Sequence, residues 1–179
     1  MNRLKAIQAL QLWDKKGKYV FTTRELHKIF YYDNHKTCTE GIYRLVKDNL
    51  LVRAYRGIYV NPNARSIDPY VIEHIAKALR YGEYNYVSLE SLLSEYGLIS
   101  QILVDRLTVM TTGRKGVCHT SYGTIEFTHT KRSISEIIHD IKQTENRPLR
   151  IVSKQIAWRD LKRVGRNIGM VDRDQLNDD

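Results

Sequence analysis

Apolar positions recur at three- and four-residue spacing early in the chain, the pattern of helices that bury one face. Residues 2–16 show it first, with Leu10 and Trp13 on one side, and we interpret Trp13 as a core residue. Gly17 ends this helix. The apolar run at 19–21 then predicts a short extended segment.

Two threonines open the next pair of helices in the same way. Thr22 and Glu25 have the spacing of a capping box, in which the hydroxyl and the carboxylate each satisfy a free backbone N–H at the helix start. Thr37 and Glu40 repeat this spacing, which predicts a third helix starting at Thr37. Two capped helices with a short turn between them predict a helix-turn-helix.

The third helix has an apolar and a polar face. Ile42 and Leu45 must face a core, and the opposite face carries residues suited to DNA. The second helix of a helix-turn-helix enters the major groove, where arginine bonds guanine, threonine contacts a thymine methyl and lysine holds phosphate. The candidate DNA-contacting residues here are Lys36, Thr37, Thr39, Tyr43, Arg44 and Lys47. The alternative is that they form an ordinary solvated helix face.

A basic hairpin follows the third helix. Alternation over 50–54 and 58–61 predicts two strands, and Gly57 can supply positive φ at the turn. Three helices followed by such a hairpin is the order of a winged helix-turn-helix. Arg53 and Arg56 are therefore predicted to contact phosphates or the minor groove.

The rest of the chain mixes both kinds of element, which makes the predicted fold class α+β. We predict helices from Pro69 to residue 80 and over 86–98, 133–144 and 153–167, with strands over 107–111, on both sides of Tyr122 and over 149–152. The predicted domains are a winged helix-turn-helix at 1–62, a mixed α+β domain at 69–167 and a flexible tail at 168–179.

The net charge of +9 on 179 residues is concentrated near the start of the chain. Residues 1–65 hold 13 Lys and Arg but 5 Asp and Glu, a net charge of +8, whereas the remainder holds 16 and 15. A positive potential in one small lobe favours a polyanion, and nucleic acid is the expected one. A membrane surface is the weaker alternative, because no long basic amphipathic helix occurs.

Several other classes find no support in the sequence. Cys38 and Cys118 form no C-x-x-C pair, and no apolar run or leader is visible, which predicts a soluble cytoplasmic protein without metal or cofactor. Asp-x-Lys spacings at Asp14, Asp140 and Asp160 fall on predicted helices and are interpreted as surface pairs. His119 and His129 could meet across a hairpin, but two ligands make a poor metal site. We therefore predict no enzyme activity.

Short motifs in a fixed order support a family resemblance. The hairpin ending in 56–59, the segment YVSLESLL at 86–93 with YGL at 96–98, and GTIEF at 123–127 together resemble the AbiEi family of antitoxins and transcriptional regulators. The resemblance spans most of residues 1–165. The chain departs from the family near 152–158, where many members carry a proline and a glutamate.

The resemblance implies a function. Members of that family belong to type IV toxin-antitoxin systems: a winged helix binds inverted repeats in their own promoter, and a second domain counteracts a nucleotidyltransferase-type toxin. An inverted repeat can be bound by a dimer or by two monomers that meet on DNA, and both alternatives stay open. The alternative is a non-enzymatic protein whose second lobe binds protein or RNA and whose winged helix only localises it. A candidate basic patch in that lobe comprises Lys154, Arg159, Lys162, Arg163 and Arg166.

Overall fold

The computed structural model describes residues 1–99, 105–172 and 174–176. The chain divides into two compact units, Met1–Leu79 and Arg80–Asp179. Seven α-helices and eight strands in two sheets are present in the described ranges, which confirms the α+β class.

The first unit combines four helices with a small antiparallel sheet. Its elements are α1 (Arg3–Asp14), β1 (Val20–Thr22), α2 (Thr23–Ile29), α3 (His35–Lys47), β2 (Val52–Tyr55), β3 (Ile58–Val60) and α4 (Val71–Leu79). The sheet order is β1-β3-β2, with β3 in the centre. Helices α1–α3 enclose a core of Ala6, Leu10, Phe21, Leu26, Phe30, Cys38, Ile42, Leu45 and Leu51, and Trp13 packs against it as predicted.

The starts of α2 and α3 differ from each other. Thr22 and Glu25 form the predicted capping box, with each side chain bonded to the other residue's backbone N–H. The second predicted box at Thr37 is wrong. Helix α3 begins at His35 because the side chain of Asn34 accepts a hydrogen bond from the Thr37 amide at 2.9 Å. Asparagine is among the most favoured N-cap residues, and here Asn34, not Thr37, is the N-cap of α3.

The first unit extends beyond the predicted boundary at residue 62. Asp14 at the end of α1 accepts hydrogen bonds from the amides of Arg65 and Ser66, both at 2.9 Å, and so holds the predicted connector. Helix α4 packs on β1 and β3, where the rings of Tyr19 and His74 lie 4.9 Å apart. The helix that we expected in the second domain therefore completes the first.

The second unit is built around a mixed five-stranded sheet. Its elements are β4 (Asn85–Val87), α5 (Leu89–Glu95), β5 (Arg106–Thr111), β6 (Gly116–Thr120), β7 (Gly123–His129), α6 (Ile134–Asp140), β8 (Arg150–Ile151) and α7 (Lys154–Val164). The sheet order is β6-β7-β5-β4-β8. Strands β5 and β7 are parallel, as are β4 and β8, and the other neighbours are antiparallel.

Two predictions for the second unit need correction. The helix predicted over 86–98 begins only at Leu89, because Tyr86 and Val87 pair with β5 as the end of β4. The tail predicted as flexible contains two short 3₁₀ helices in its described part. Val171 in that tail is buried and forms a bridge with Ile99.

The cap of α3 can be tested by comparing two matched alanine variants. Asn34→Ala should lower the free energy of unfolding of the first unit by about 1 kcal/mol, because the Thr37 amide loses its acceptor. Thr37→Ala should change it by less than about 0.5 kcal/mol, since its hydroxyl does not cap the helix. Urea unfolding would be followed by Trp13 fluorescence in a Trp158→Phe background. Equal losses for the two variants would contradict the assigned cap.

Candidate nucleic-acid interface

Helix α3 is anchored by its apolar face. Cys38, Gly41, Ile42 and Leu45 are buried in the core of the first unit. A Cβ added at Gly41 would come within 2.5 Å of the Met1 side chain, so glycine allows close packing at this point. Burial raises the pKa of the Cys38 thiol, which keeps it neutral. These contacts fix which side of α3 faces solvent.

The opposite face of α3 is exposed and carries most of the predicted residues. Lys36, Arg44 and Lys47 are exposed, and Tyr43 is 72% exposed. None of these three cations makes an ion pair with a residue that the structure describes. The structure therefore brings these predicted residues onto one helix face, and their charges stay available to an anion.

Two threonines of α3 are more constrained than the sequence indicated. The Thr37 amide is taken by the Asn34 cap. The Thr39 hydroxyl donates to the His35 carbonyl at 2.9 Å and lies 3.4 Å from Nε2 of His27. With its proton committed to the backbone, Thr39 has its methyl group and an oxygen lone pair left for an external contact.

A pair of histidines connects α2 to the start of α3. The rings of His27 and His35 stack with centroids 4.3 Å apart. Burial lowers the pKa of His27, and the neighbouring His35 lowers it further because two adjacent positive rings would repel each other. His27 therefore favours its neutral form near pH 7, beside Thr39.

The hairpin of β2 and β3 is tied to helix α2 at its turn. Gly57 has φ of +78°, as predicted for the turn, and its carbonyl accepts a hydrogen bond from the Thr23 amide at 2.8 Å. The Thr23 hydroxyl approaches the same carbonyl at 3.3 Å. Arg53 and Arg56 are exposed on this hairpin. The turn that carries Arg56 is thus held against the first residue of α2.

The acidic residues of the first unit are largely engaged elsewhere. Glu25 contacts Lys18 at 2.5 Å, and Asp48 contacts Arg3 at 3.6 Å. Contacts with Ser66, and after them the amide of Arg65, lower the pKa of Asp14, which accepts hydrogen bonds from both backbone N–H groups. Seven of the exposed cations without an ion pair to the described residues lie on α2, on α3 or on the hairpin of β2 and β3: Arg24, Lys28, Lys36, Arg44, Lys47, Arg53 and Arg56.

Further candidate residues were not identified from the sequence. Tyr31 and Tyr32 lie in the turn between α2 and α3, and Tyr31 is 82% exposed. The Lys5 ammonium lies 5.8 Å from the centroid of the Tyr32 ring. Two adjacent aromatic residues in a polar turn are a signal of a contact surface that the sequence already carries.

The C-terminal residues predicted as a basic patch do not form one free surface. Arg166 binds Glu90 through Nε and Nη2 and also contacts Glu126. Arg159 binds Asp140 at 3.0 Å. The Lys162 ammonium lies over the Trp158 ring at 5.4 Å, and Lys154 is half-buried. Arg163 is exposed, so the charge run on α7 is mostly consumed within the second unit.

The residues considered for catalysis are dispersed. His119 contacts Thr124 near the start of β7, whereas His129 ends that strand and contacts the Gly113 carbonyl, so the two histidines do not meet. Asp160 is buried and is not the surface pair that we predicted. Within the described ranges, no three His, Cys, Asp or Glu side chains cluster as metal ligands would. The described helices include none with the length and apolarity needed to cross a membrane.

The comparison with protein families bears on the first unit. The family model for the transcriptional regulators known as AbiEi antitoxins matches residues 8–62. The matched segment runs from within α1 to just beyond β3 and covers less than half of the chain. The match confirms, for this segment, the resemblance found in the sequence, and the motifs of the second unit lie outside it. Among curated proteins, none matches the chain.

The histidine pair gives a prediction about titration. His35→Ala should raise the pKa of His27 towards its ordinary value, because the nearby second ring no longer opposes protonation. Two-dimensional NMR of the ring Hε1 resonances against pH would measure the change, with His74 of α4 as an internal reference. An unchanged His27 titration would show that burial alone lowers its pKa.

Proposed function

We propose that residues 1–62 form a winged helix-turn-helix that binds double-stranded DNA. In this assignment α2 and α3 are the helix-turn-helix, α3 lies in the major groove, and the hairpin of β2 and β3 is the wing. The element order and the central position of β3 support it.

One observation carries the proposal: cations without internal partners lie on the solvent face of α3 and on the hairpin tied to α2. Arg3 and Lys18 of the same unit, by contrast, pair with Asp48 and Glu25. The seven exposed cations of α2, α3 and the hairpin make no ion pair with the described residues and create the potential that a phosphate backbone neutralises. The segment that carries them is the one that matches the family of regulators.

We assign roles by position and chemistry. Arg44, on the outer face of α3, is the candidate for bidentate contact with guanine, and the Thr39 methyl is placed for a thymine methyl. Lys36, Lys47 and Tyr43 flank them as phosphate or sugar contacts. Arg53 and Arg56 reach the backbone or the minor groove from the hairpin. Thr37 lies in the first turn of α3, the part of the helix that approaches the bases, and is assigned a supporting contact there.

The biological role that we propose follows the family. The protein is a cytoplasmic, non-enzymatic repressor and antitoxin of a type IV system, which represses its own operon through promoter inverted repeats and counteracts a nucleotidyltransferase-type toxin. An inverted repeat accepts a dimer or two monomers that meet on DNA. The family match supports the regulator and antitoxin classes, and the proposal adds the operon, the toxin type and repression.

The DNA-binding roles predict different effects for two arginines. Arg44→Ala should weaken binding to the inverted repeat upstream of the gene by ~1–3 kcal/mol and relax base preference. Arg56→Ala should weaken binding to all sequences alike and reduce the slope of log K against log salt by about 1. Fluorescence anisotropy with the cognate repeat and a scrambled duplex, at several salt concentrations, measures both effects.

Lys77→Ala is the matched control for these variants. Lys77 is an exposed cation on α4 in the same unit, and no described residue forms an ion pair with it. It should bind both duplexes as the unaltered protein does. If Arg44→Ala lost equal affinity for the cognate and scrambled duplexes, α3 would not be the base-reading helix. If Lys77→Ala weakened binding as much as Arg56→Ala, the effect would be one of net charge.

The antitoxin role predicts rescue of growth. Expression of the chain from an unrelated promoter should restore growth to cells that produce the toxin encoded by the adjacent reading frame. Arg44→Ala should rescue equally well, because the proposed neutralisation does not require operator binding. Colony counts on inducing plates measure this, with an empty vector as the control. Growth arrest that persists despite equal protein levels would overturn the antitoxin assignment.

A further inference from the structure

A cavity of about 500 Å³ opens in the second unit beside the end of β7 and the helices α6 and α7. Its volume lies in the range of small-molecule sites, about 300–1,000 Å³. Asp160 and Arg132 lie at its inner part, and Lys131 and Arg163 are exposed at its edge. Met110 and Val164 contribute apolar surface.

Asp160 lines this cavity and carries an acceptor that has no partner in the ranges that the structure describes. The residue is 1% exposed, and its Oδ2 accepts hydrogen bonds from the Ser88 hydroxyl at 2.9 Å and the Tyr86 hydroxyl at 3.3 Å. Its Oδ1 is buried and has no partner among the described residues. A carboxylate oxygen that is buried without a donor is costly, so the site favours an external donor.

Arg132 presents an unsatisfied donor to the same space. Its side chain is 4% exposed, and Nη2 contacts Asp140 and the Glu136 carbonyl. Burial and the nearby Asp160 raise the pKa of Tyr86 to about 12. The guanidinium of Arg132 lies close enough to the Tyr86 hydroxyl to oppose this increase. Nη1 nevertheless makes no hydrogen bond within the described part of the chain. A buried donor and a buried acceptor thus line one cavity.

The surroundings of the cavity favour a phosphorylated ligand. Lys131 and Arg163 make no ion pair with the described residues. Nδ1 of His129 contacts the Gly113 carbonyl at 2.9 Å, so in the neutral ring Nδ1 donates and Nε2 can accept. An adjoining depression of about 690 Å³ shares His129 and Lys131 with the cavity and adds Arg114 and Lys115. Cations therefore extend outwards from the cavity in one direction.

We propose that this cavity is a binding site for a nucleoside phosphate. A hydroxyl or amino group of the nucleoside donates to Oδ1 of Asp160, and a ring or sugar oxygen accepts from Nη1 of Arg132. Met110 and Val164 contact the apolar parts of the ligand. The phosphate lies on Lys131 and Arg163, and further phosphates extend towards Arg114 and Lys115. A sugar phosphate shares the phosphate contacts but lacks the base.

Calorimetric titration of the full chain tests this site. The probes are the four ribonucleoside monophosphates and triphosphates, ribose 5-phosphate and inorganic phosphate. We expect at least one nucleotide to bind more tightly than ribose 5-phosphate and inorganic phosphate, and its triphosphate to bind more tightly than its monophosphate. Asp160→Asn should lower nucleotide affinity at least tenfold, because the amide places a donor where the ligand needs an acceptor.

Three further variants make the test specific. Arg163→Ala changes an exposed residue and should weaken mono- and triphosphates alike. Arg114→Ala combined with Lys115→Ala should weaken the triphosphate more than the monophosphate. Arg150→Ala removes an exposed cation of β8 that has no ion pair to the described residues, and it should bind as the unaltered protein does.

Each contrary result has a definite meaning. No heat with any nucleotide at millimolar concentration would overturn the site. Equal affinity for inorganic phosphate and nucleotides, unchanged by Asp160→Asn, would show an adventitious anion patch. Binding of a single-stranded oligonucleotide without binding of nucleotides would assign the groove to a nucleic-acid backbone, and that too would overturn the proposal. If Asp160→Asn failed to fold by circular dichroism, Arg163→Ala would decide.

Discussion

The hydrogen bond from the Thr23 amide to the Gly57 carbonyl is the constraint on which the candidate DNA-binding surface depends. The first N–H groups of a helix have no partner within the helix. At α2, Thr22 and Glu25 satisfy each other's amides, and the hairpin turn satisfies the amide between them. Because the carbonyl must point at α2, the turn needs the positive φ that Gly57 supplies without strain.

This bond determines where the arginines of the hairpin lie. The pairing of β3 with β1 holds the base of the hairpin, and the bond at Gly57 holds its turn. With its turn fixed to α2, and α2 joined to α3 by the contacts of His27 with His35 and Thr39, the cations belong to one connected surface. Two acids of the same unit reduce the positive potential of this surface little, because Glu25 is paired with Lys18 and Asp48 with Arg3.

Much of the first unit could be predicted because its signals are local. The spacing of Leu10 and Trp13, the Thr22–Glu25 capping box and Gly57 each act within a few residues, and each prediction agrees with the structure. The predicted start of α3 was wrong because asparagine and threonine are both favoured N-cap residues. Only the path of the backbone decides that Asn34, and not Thr37, caps the helix. The boundary after Pro62 failed for another reason: Asp14 holds the connector through bonds that span more than fifty residues.

Predictions for the second unit failed where charge was interpreted along the sequence instead of in space. The basic residues of α7 lie close together in the chain, yet Arg166 and Arg159 each bind carboxylates from distant elements. Arg163, which stays exposed, and Lys131 come from different parts of the chain, yet both line one cavity. Asp160 shows the converse case of a charged residue that looks exposed in the sequence. Its neighbours in the chain are charged, yet the fold buries it, and it accepts a hydrogen bond from Ser88. A charge run therefore marks a binding surface only where the fold provides no internal partner, and this condition separates α3 from α7.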